Sequence, residues 1–423
     1  MARADSHAKD PFRDCGIRHF AAKYGLEAEA LTDPLDRISP PGGEPEERIV
    51  SWEDSSCGRV PMFSEGGDLF HAIGRILAGF LERLPEESRR EIAQIPLVDI
   101  YEEILLSALE RDLGKKIVPA PFWPDAKRFA LVITHDVDEI RKTYQYVTRP
   151  LMSLKRGKVS QALTSIAPGS RKADPYWTFG ELTQIEESLG VRSSLYFLQE
   201  DEPVRASRPG TWKHYPRKYR FSDPKVAGII KELHAGGWEV GLHGSLYSYL
   251  SKELLSSQKE DLERALGAPV SGTRQHHLNL KKPDTWKFHE ETGLSYDTSL
   301  GFKDDNGFCW GTCFPFHPVD GASGKELSVM ELPLAYMDTT MFHEQEKALG
   351  RITSLMETVA SRGGMLNVLF HHAVYNEREY PGWAQTFRDM VSACREKGAW
   401  IATAAEADAW WRARIKKADA KII

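Results

Sequence analysis

The chain has 423 residues, of which 41% are hydrophobic and 27% charged, and it carries a formal net charge of -6. Its length allows two or three domains of ordinary size, and its composition is that of a globular protein rather than a disordered one. Because a general nucleic-acid-binding protein carries a basic excess, the acidic balance argues against nucleic acid as a partner.

The sequence shows no evident targeting signal or membrane anchor. The N-terminus lacks the apolar core of a secretory signal, and no run of about eighteen apolar residues predicts a transmembrane helix. Five cysteines are too few and too scattered for a disulfide framework. The one close pair, Cys309 and Cys313, favours two packed thiols over a zinc site. We therefore expect a reduced, cytoplasmic protein, whose oligomeric state the sequence does not define.

Residues 1–120 are predicted to form a smaller, mainly helical accessory region. Apolar residues recur at helical spacing in segments 68–84 and 98–113, whereas 39–48 is rich in Pro, Gly and Glu and indicates a loop. A proline-punctuated connector follows at 118–124. The predicted division is thus an N-terminal region, 1–120, and a second domain, 121–423.

From Phe129 onward, short apolar segments alternate with segments of helical periodicity that often end in glycine. The predicted strands are 129–136, 191–198, 238–244, 269–276, 294–300, 327–337 and 365–375. Such alternation is typical of parallel strands joined by crossover helices, in an α/β sheet or barrel. Seven strands do not make an eightfold barrel, so an incomplete or distorted barrel fits better.

Charged and imidazole side chains gather where these predicted strands end. They are His135, Asp136, Asp138, His243, Arg274, His276, His277, Asp297, His371 and His372. A single buried histidine is commonly a satisfied core residue. In parallel α/β folds, however, residues at the carboxyl ends of the strands converge on one site. The set as a whole therefore predicts a functional site.

Metal-assisted hydrolysis is the chemistry that this set suits. A divalent metal takes carboxylate and imidazole ligands and activates water near neutral pH. The metal would also be the counter-charge that lets Asp136 and Asp138 lie close together at the end of a core strand.

Six motifs carry a resemblance to a known family. In chain order they are THDVD (134–138), EVGLHGS (239–245), GTRQHHL (272–278), YDTSLGF (296–302), LPLAYMD (332–338) and LFHH (369–372). Over residues 121–415 the chain resembles the polysaccharide deacetylase family (carbohydrate esterase family 4), in its divergent branch with a Thr-His-Asp-x-Asp first motif. The resemblance implies an α/β fold, a distorted (β/α)7 barrel. It also implies a metal-dependent hydrolase that removes the N-acetyl group of an amino sugar, with one divalent metal, expected to be Zn²⁺.

The resemblance also implies roles for individual residues. Asp136 would be the general base, held by Arg274, and His371 would be the general acid. Asp297 would orient that histidine, and Asp138 and His243 would bind the metal.

One departure concerns the third metal ligand. The family's second motif is His-x3-His, but the residue four positions after His243 is Tyr247. We predict His276 instead, because alternate residues of a strand face the same way and His276 would share the side of Arg274, with His277 pointing oppositely. The alternative is that Tyr247 or water fills the place and His276 only contacts substrate. Tyr247, His277 and His372 are predicted to bind substrate.

Two other functions stay open, and the departure at Tyr247 bears on the first of them. One is a catalytically weak or silent protein that binds carbohydrate in the same cleft, and the other is a related cyclic-amide hydrolase. The presence of a base, an acid, Arg274 and Asp297 together favours the enzyme.

Two basic segments suggest what the carbohydrate substrate carries. Residues 141–172 contain eight Lys or Arg and no Asp or Glu, and residues 205–220 contain six more, again without an acid. They could form a basic collar for an anionic glycan. Apolar residues of the first segment could also rest on a membrane surface that holds a lipid-linked sugar. The remaining alternative is a pair of solvated loops.

Overall fold

The computed structural model describes residues 10–42, 45–55, 58–63, 67–155, 157, 159, 162–163, 174–200, 207 and 218–423. The second basic segment, 205–220, lies largely outside the described residues.

The elements of the N-terminal region are α1 (Pro11–Tyr24), α2 (Thr32–Ile38), β1 (Ser51–Ser55), β2 (Gly58–Met62), α3 (Leu69–Ile76), α4 (Glu86–Ile92), α5 (Leu97–Leu113) and β3 (Ile117–Val118). The helices predicted at 68–84 and 98–113 correspond to α3 and α5. The antiparallel hairpin of β1 and β2 was not predicted.

The N-terminal region shares its core with a later part of the chain. Its apolar cluster includes Phe20, Phe70 and Leu105 together with Trp286 and Trp310. The short strand β3 also pairs with a strand at the C-terminus. The division at residue 120 therefore stays a prediction, since the two parts are packed on each other.

A buried ion cluster ties the two parts together. The Lys23 Nζ of α1 donates to Asp99 Oδ1 at 3.0 Å and to Glu102 Oε2 at 2.5 Å. Asp99 accepts in turn from the Thr312 hydroxyl and from the Cys313 backbone N–H. Burial alone would lower the pKa of Lys23, but the charges of Asp99 and Glu102 outweigh it and raise that pKa. The lysine therefore stays charged and paired, as buried charges must be.

The second part is built from parallel strands and surrounding helices. Its elements are β4 (Phe129–Val137), α6 (Gln145–Lys155), α7 (Phe179–Leu189), β5 (Ser194–Leu198), α8 (Pro224–Ala235), β6 (Glu239–Gly244), α9 (Lys252–Leu266), β7 (Gly272–Gln275), α10 (Asp284–Glu291), β8 (Tyr296–Asp297), β9 (Met330–Glu331), β10 (Tyr336–Met337), α11 (Met341–Arg362), β11 (Met365–Leu369), α12 (Trp383–Glu396), β12 (Ala399–Ala402), α13 (Ala404–Arg414) and β13 (Lys421–Ile422). Residues 190, 267 and 363 are left-handed glycines that end α7, α9 and α11.

The large sheet is parallel and curls round on itself. Its strand order is β10-β11-β4-β5-β6-β7-β8-β9, with β12 pairing with the first half of β4. The two end strands, β9 and β10, are consecutive pieces of the segment predicted as one strand, 327–337. Between them lies Pro333, which has no N–H for a ladder. With β9 and β10 taken as one bent strand, seven strands form the ring and the predicted distorted (β/α)7 barrel is confirmed. The short strand β12 was not predicted.

Strand β4 is the centre of this sheet. All nine of its residues are buried, as expected for a strand covered on both faces. Its side chains alternate between the two faces, so Asp136 points to one side and His135 to the other. The His135 ring lies against the Phe370 carbonyl at 2.6 Å and Glu186 Oε1 at 2.8 Å. His135 is therefore part of the helix–sheet packing and not of the site described below.

Candidate metal and acid–base site

Three ligand atoms converge at the carboxyl ends of β4, β6 and β7. Asp138 Oδ1 lies 3.2 Å from His243 Nε2 and 3.6 Å from His276 Nδ1, and the two imidazole nitrogens are 3.1 Å apart. A tetrahedral zinc ion with ligands at about 2.0–2.1 Å would place them about 3.3 Å from one another. The triad of Asp138, His243 and His276 is thus a candidate metal site.

The surroundings of the triad fit a cation. His243 Nδ1 lies 2.8 Å from the Arg274 carbonyl oxygen, so Nδ1 carries the proton and donates it to that oxygen. When the ring is neutral, Nε2 therefore has a free lone pair, which points toward the other two ligand atoms of the triad. Asp138 Oδ1 is buried and accepts no hydrogen bond of good geometry from the described residues. A buried carboxylate oxygen in that position is costly unless a cation faces it. Residues that fit a divalent metal are therefore present.

Protons compete with a metal for these atoms. Burial alone would lower the pKa of His243, but the charges of Asp136 and Asp138 outweigh it and raise that pKa. For Asp138, burial is likewise outweighed by the two histidines, which hold its pKa well below the usual range. A metal ion must therefore displace a proton from the imidazole, as is usual for histidine ligands.

The predicted base lies beside the triad. Asp136 Oδ1 accepts from Arg274 Nη1 at 2.9 Å, and Asp136 Oδ2 is 3.6 Å from His243 Nε2. Burial alone would raise the pKa of Asp136, but His243 and Arg274 outweigh it and lower that pKa. Arg274 is itself fixed by Nε donating to the Thr298 carbonyl. Asp136 is thus an ionised carboxylate with a fixed orientation.

The predicted acid, His371, is held by Asp338 and not by Asp297. Asp338 Oδ1 is 2.7 Å from His371 Nδ1, and Asp338 Oδ2 accepts from the His371 backbone N–H at 2.8 Å. His371 Nε2 is consequently turned toward the site, 3.9 Å from Asp138 Oδ2. Burial alone would lower the pKa of His371, but the charge and hydrogen bond of Asp338 outweigh it and raise that pKa to about 10.

The prediction that Asp297 orients His371 is wrong. The Asp297 carboxylate accepts from the Ser299 backbone N–H and from Trp286 Nε1 and shares the latter donor with Glu331. Asp338 ends the motif LPLAYMD, directly after β10, and β10 pairs with β11, which leads into His371. A carboxylate directly after a strand was the available signal, but it does not tell which strand neighbours β11.

Two assumptions about His276 and His277 also change. Strand β7 ends at Gln275, and His276 begins a short 3₁₀ turn, so alternation along a strand is not what turns His276 into the site. His277 adopts a left-handed backbone conformation, φ 59°, and its ring lies beside that of His276 with centroids 4.0 Å apart. The prediction that His277 points to the opposite side is therefore wrong.

The remaining predicted substrate residues lie apart from the reacting groups or are engaged elsewhere. Tyr247 is 47% exposed and does not line the cavity described next. His372 is buried, with Nδ1 at 3.2 Å from the Asp136 carbonyl and Nε2 at 3.1 Å from the Tyr176 carbonyl. His372 thus lines the cavity with a backbone carbonyl oxygen beside each of its nitrogens, and it supports the wall.

A cavity of about 380 Å³ opens beside Asp136, Asp138 and His371. Its other walls come from α6, from the start of α11 and from residues 371–383. Of these, sequence analysis assigned His371 and His372 to the site and considered segment 141–172, which contains α6, as a basic collar. Its aromatic lining residues are Tyr144, Tyr176, Phe342, Tyr380 and Trp383. A cavity of this size with aromatic walls and a few polar groups at one end is typical of a small-molecule site.

Two cations of the predicted basic collar lie in the cavity wall or beside it, whereas the collar as a whole stays a prediction. Lys142 Nζ lies 2.7 and 2.8 Å from the two carboxylate oxygens of Glu379. Arg149 lies over the ring of Tyr380 at 3.7 Å and donates to the Glu379 carbonyl. Two cations of the first basic segment are thus paired within the protein and are not presented to an anionic ligand.

Comparisons with known proteins give a likeness in fold. No protein-family model matches the chain, and no curated protein does. A solved structure assigned as a polysaccharide deacetylase, from Mycobacterium smegmatis, is 19% identical at a TM-score of 0.44, over 71% of this chain and 96% of that one. The structure of PuuE allantoinase is 14% identical at a TM-score of 0.46, over 70% of this chain and 94% of that one. A probable polysaccharide deacetylase of Pseudomonas aeruginosa PAO1 is 14% identical at a TM-score of 0.44, with the same coverage.

The structures similar to this chain thus include polysaccharide deacetylases. The identities and TM-scores are low, so the chemistry of the site has to be inferred from this chain's own residues.

Proposed function

We propose that the protein is a metal-dependent hydrolase that removes the N-acetyl group of an amino sugar in a glycan or glycan precursor. One observation carries the proposal: a candidate ligand triad lies beside an oriented carboxylate, Asp136, and an oriented imidazole, His371, and both of these line a cavity. A protein that only binds carbohydrate needs no such acid–base pair. The sugar specificity is taken from the resemblance of the six motifs.

The residues divide the reaction between them. Asp138, His243 and His276 would hold a divalent cation, expected to be Zn²⁺, which would supply Lewis acidity toward the amide carbonyl and the attacking water. Asp136 accepts a proton as the water oxygen bonds to the carbonyl carbon. His371 then donates a proton to the nitrogen as the C–N bond breaks, which releases acetate and the free amine. Arg274 and Asp338 keep the base and the acid in their opposite protonation states.

An acetate-release assay tests this function. The full chain, loaded with one equivalent of zinc, is incubated with N-acetylated amino sugars and oligosaccharides, with and without chelator. Acetate release that the chelator stops and zinc restores supports the proposal. If the zinc-loaded protein binds such sugars without releasing acetate, the protein is a silent carbohydrate-binding relative.

The cyclic-amide alternative uses the same metal, base and acid, so it is distinguished by product. Hydrolysis of a cyclic amide gives a single ring-opened product and no acetate. We also propose a cytoplasmic location, on the sequence alone.

A further inference from the structure

Exposed apolar side chains are concentrated in one part of the described structure. Of the fourteen large hydrophobic residues found strongly exposed among the described residues, seven lie between Tyr144 and Leu163. Scattered exposed apolar residues are normal on protein surfaces, whereas a contiguous group marks an interaction site. Helix α6 carries the centre of this group.

Helix α6 presents two different faces. Gln145, Arg149 and Ser153, spaced by four residues, line the cavity. Val147, Leu151 and Leu154 follow one another at a spacing of four and three residues, do not line the cavity, and are 62%, 54% and 51% exposed. Because such a spacing keeps side chains on one side of a helix, these three form a continuous apolar stripe.

The charges that flank the stripe along the chain are of one sign. Arg141 precedes α6 and Lys155 ends it, and both are exposed. No Asp or Glu occurs between residues 141 and 172. Lys142 and Arg149 point inward to Glu379. The outer face of α6 is therefore an apolar stripe between the exposed cations Arg141 and Lys155. It lies next to Tyr144, which lines the cavity. A basic amphipathic helix of this kind suits an anionic lipid surface.

We propose that this outer face, here called the α6 surface and defined by Val147, Leu151 and Leu154 with Arg141 and Lys155, docks on an anionic membrane surface. The apolar stripe enters the boundary between headgroups and acyl chains, and the two cations contact lipid phosphates. Helix α6 has only 11 residues. Among the described residues no helix is long and apolar enough to cross a bilayer. The contact is therefore peripheral, with the cavity mouth at headgroup level, and it does not depend on the proposed reaction.

Vesicle sedimentation of the full-length protein tests the apolar stripe. The vesicles are phosphatidylcholine alone or phosphatidylcholine mixed equally with phosphatidylglycerol. We expect binding to the anionic vesicles, and a loss of about a hundredfold in the partition coefficient for the triple variant Val147→Ser/Leu151→Ser/Leu154→Ser. The matched control is Val118→Ser/Leu349→Ser/Ile422→Ser, three exposed apolar residues elsewhere, which should bind as the wild type does.

The cations are tested separately. Arg141→Gln/Lys155→Gln should lower binding to the anionic vesicles by about tenfold or more at low salt, and less at high salt. Circular dichroism and urea unfolding show whether each variant is folded.

Three results would overturn the proposal. The first is that the wild type fails to sediment with anionic vesicles. The second is that the stripe variant binds these vesicles as tightly as the wild type does. The third is that sedimentation velocity shows a dimer of the wild type which, among the variants, only the stripe variant abolishes. The last result would assign the α6 surface to a second copy of this chain.

Discussion

Two pairs of carboxylates in this barrel, one fully buried and one partly buried, behave in opposite ways. Asp297 and Glu331, on β8 and β9, are fully buried, and their oxygens accept hydrogen bonds from Trp286 Nε1 and from the backbone N–H groups of Ser299 and Leu300. Burial and the neighbouring charge of Asp297 raise the pKa of Glu331 well above its usual value. Glu331 thus holds its proton to higher pH than a free carboxyl group does, and donors of the protein itself satisfy the pair.

Asp136 and Asp138, on and just after β4, are surrounded differently. Asp136 has Arg274 as a charged partner, but Asp138 Oδ1 faces two imidazole nitrogens without a well-formed hydrogen bond. Here the pKa values of both carboxyl groups are lowered, so both are ionised. The comparison teaches that burial of acids alone does not identify a site. The informative feature is an acid with a buried carboxylate oxygen that no donor of the protein satisfies, because a cation is then required to balance its charge.

The largest expected effect is loss of the bound metal when a residue of the triad is substituted. Asp138→Ala and His243→Ala should each abolish stoichiometric zinc, because each removes one of three ligands. His276→Ala should weaken zinc affinity by more than the roughly 10–100-fold that a supporting partner costs. His277→Ala, beside it in sequence and space, is the matched control and should keep its zinc. Metal analysis and competition with a chromogenic chelator give the values. If Asp138→Ala and His243→Ala both retain a full equivalent, the metal lies elsewhere.

The next largest effect concerns the base. Asp136→Asn should retain zinc and the fold while kcat falls by about 10²–10⁴, because the amide keeps a hydrogen bond from Arg274 but cannot accept a proton. Zinc content and kcat are measured on the same preparation. Nearly normal turnover in this variant would remove Asp136 from the mechanism.

The extent to which sequence predicted these features depended on how local each one is. The strand β4 and the motif THDVD were predictable because a buried apolar run and its terminal carboxylates are contiguous. The sixth strand, 327–337, was predicted as one piece, since only the structure shows how Pro333 divides β9 from β10. Strand β12 has only four residues, too few for a periodic pattern to indicate it.

The partner of His371 shows the limit most clearly. Asp297 and Asp338 both lie at the end of a strand, so the sequence alone does not tell which of them is the partner of His371. The choice between them follows from strand order, because β10 adjoins β11 whereas β8 lies between β7 and β9. Likewise His276 reaches the triad through a turn whose backbone geometry, with a left-handed residue next to it, no spacing rule anticipates.

A comparison of Asp338→Asn with Asp297→Asn sharpens that assignment. Loss of the Asp338 charge removes the main influence that raises the pKa of His371, so the imidazolium loses its proton at lower pH. The alkaline limb of the pH profile of kcat should therefore move to lower pH, with kcat at neutral pH reduced by about 10–100-fold. Asp297→Asn should leave that limb in place. If Asp297→Asn moves the limb and Asp338→Asn does not, Asp297 is the positioning residue after all.

The smallest expected effect is on stability, at the satisfied carboxylate pair. Because the folded-state pKa of Glu331 is raised, the folded protein holds this proton to higher pH than the unfolded chain does. Its contribution is fully present below the unfolded-state pKa of about 4.3 and is lost as pH rises through the folded-state value. Across that window the free energy of unfolding should fall with pH by up to about 1.4 kcal/mol per pH unit from this group.

Glu331→Gln isolates this contribution. A glutamine amide can donate to Asp297 at every pH, so the variant should lose this part of the slope and gain relative stability toward alkaline pH. Urea unfolding at a series of pH values measures the slope. Glu260→Gln, at an exposed position of α9, is the matched control and should keep the wild-type slope. If Glu331→Gln also keeps it, Glu331 does not hold a proton to higher pH in the folded state, and the contrast with Asp136 and Asp138 would then rest on hydrogen bonding alone.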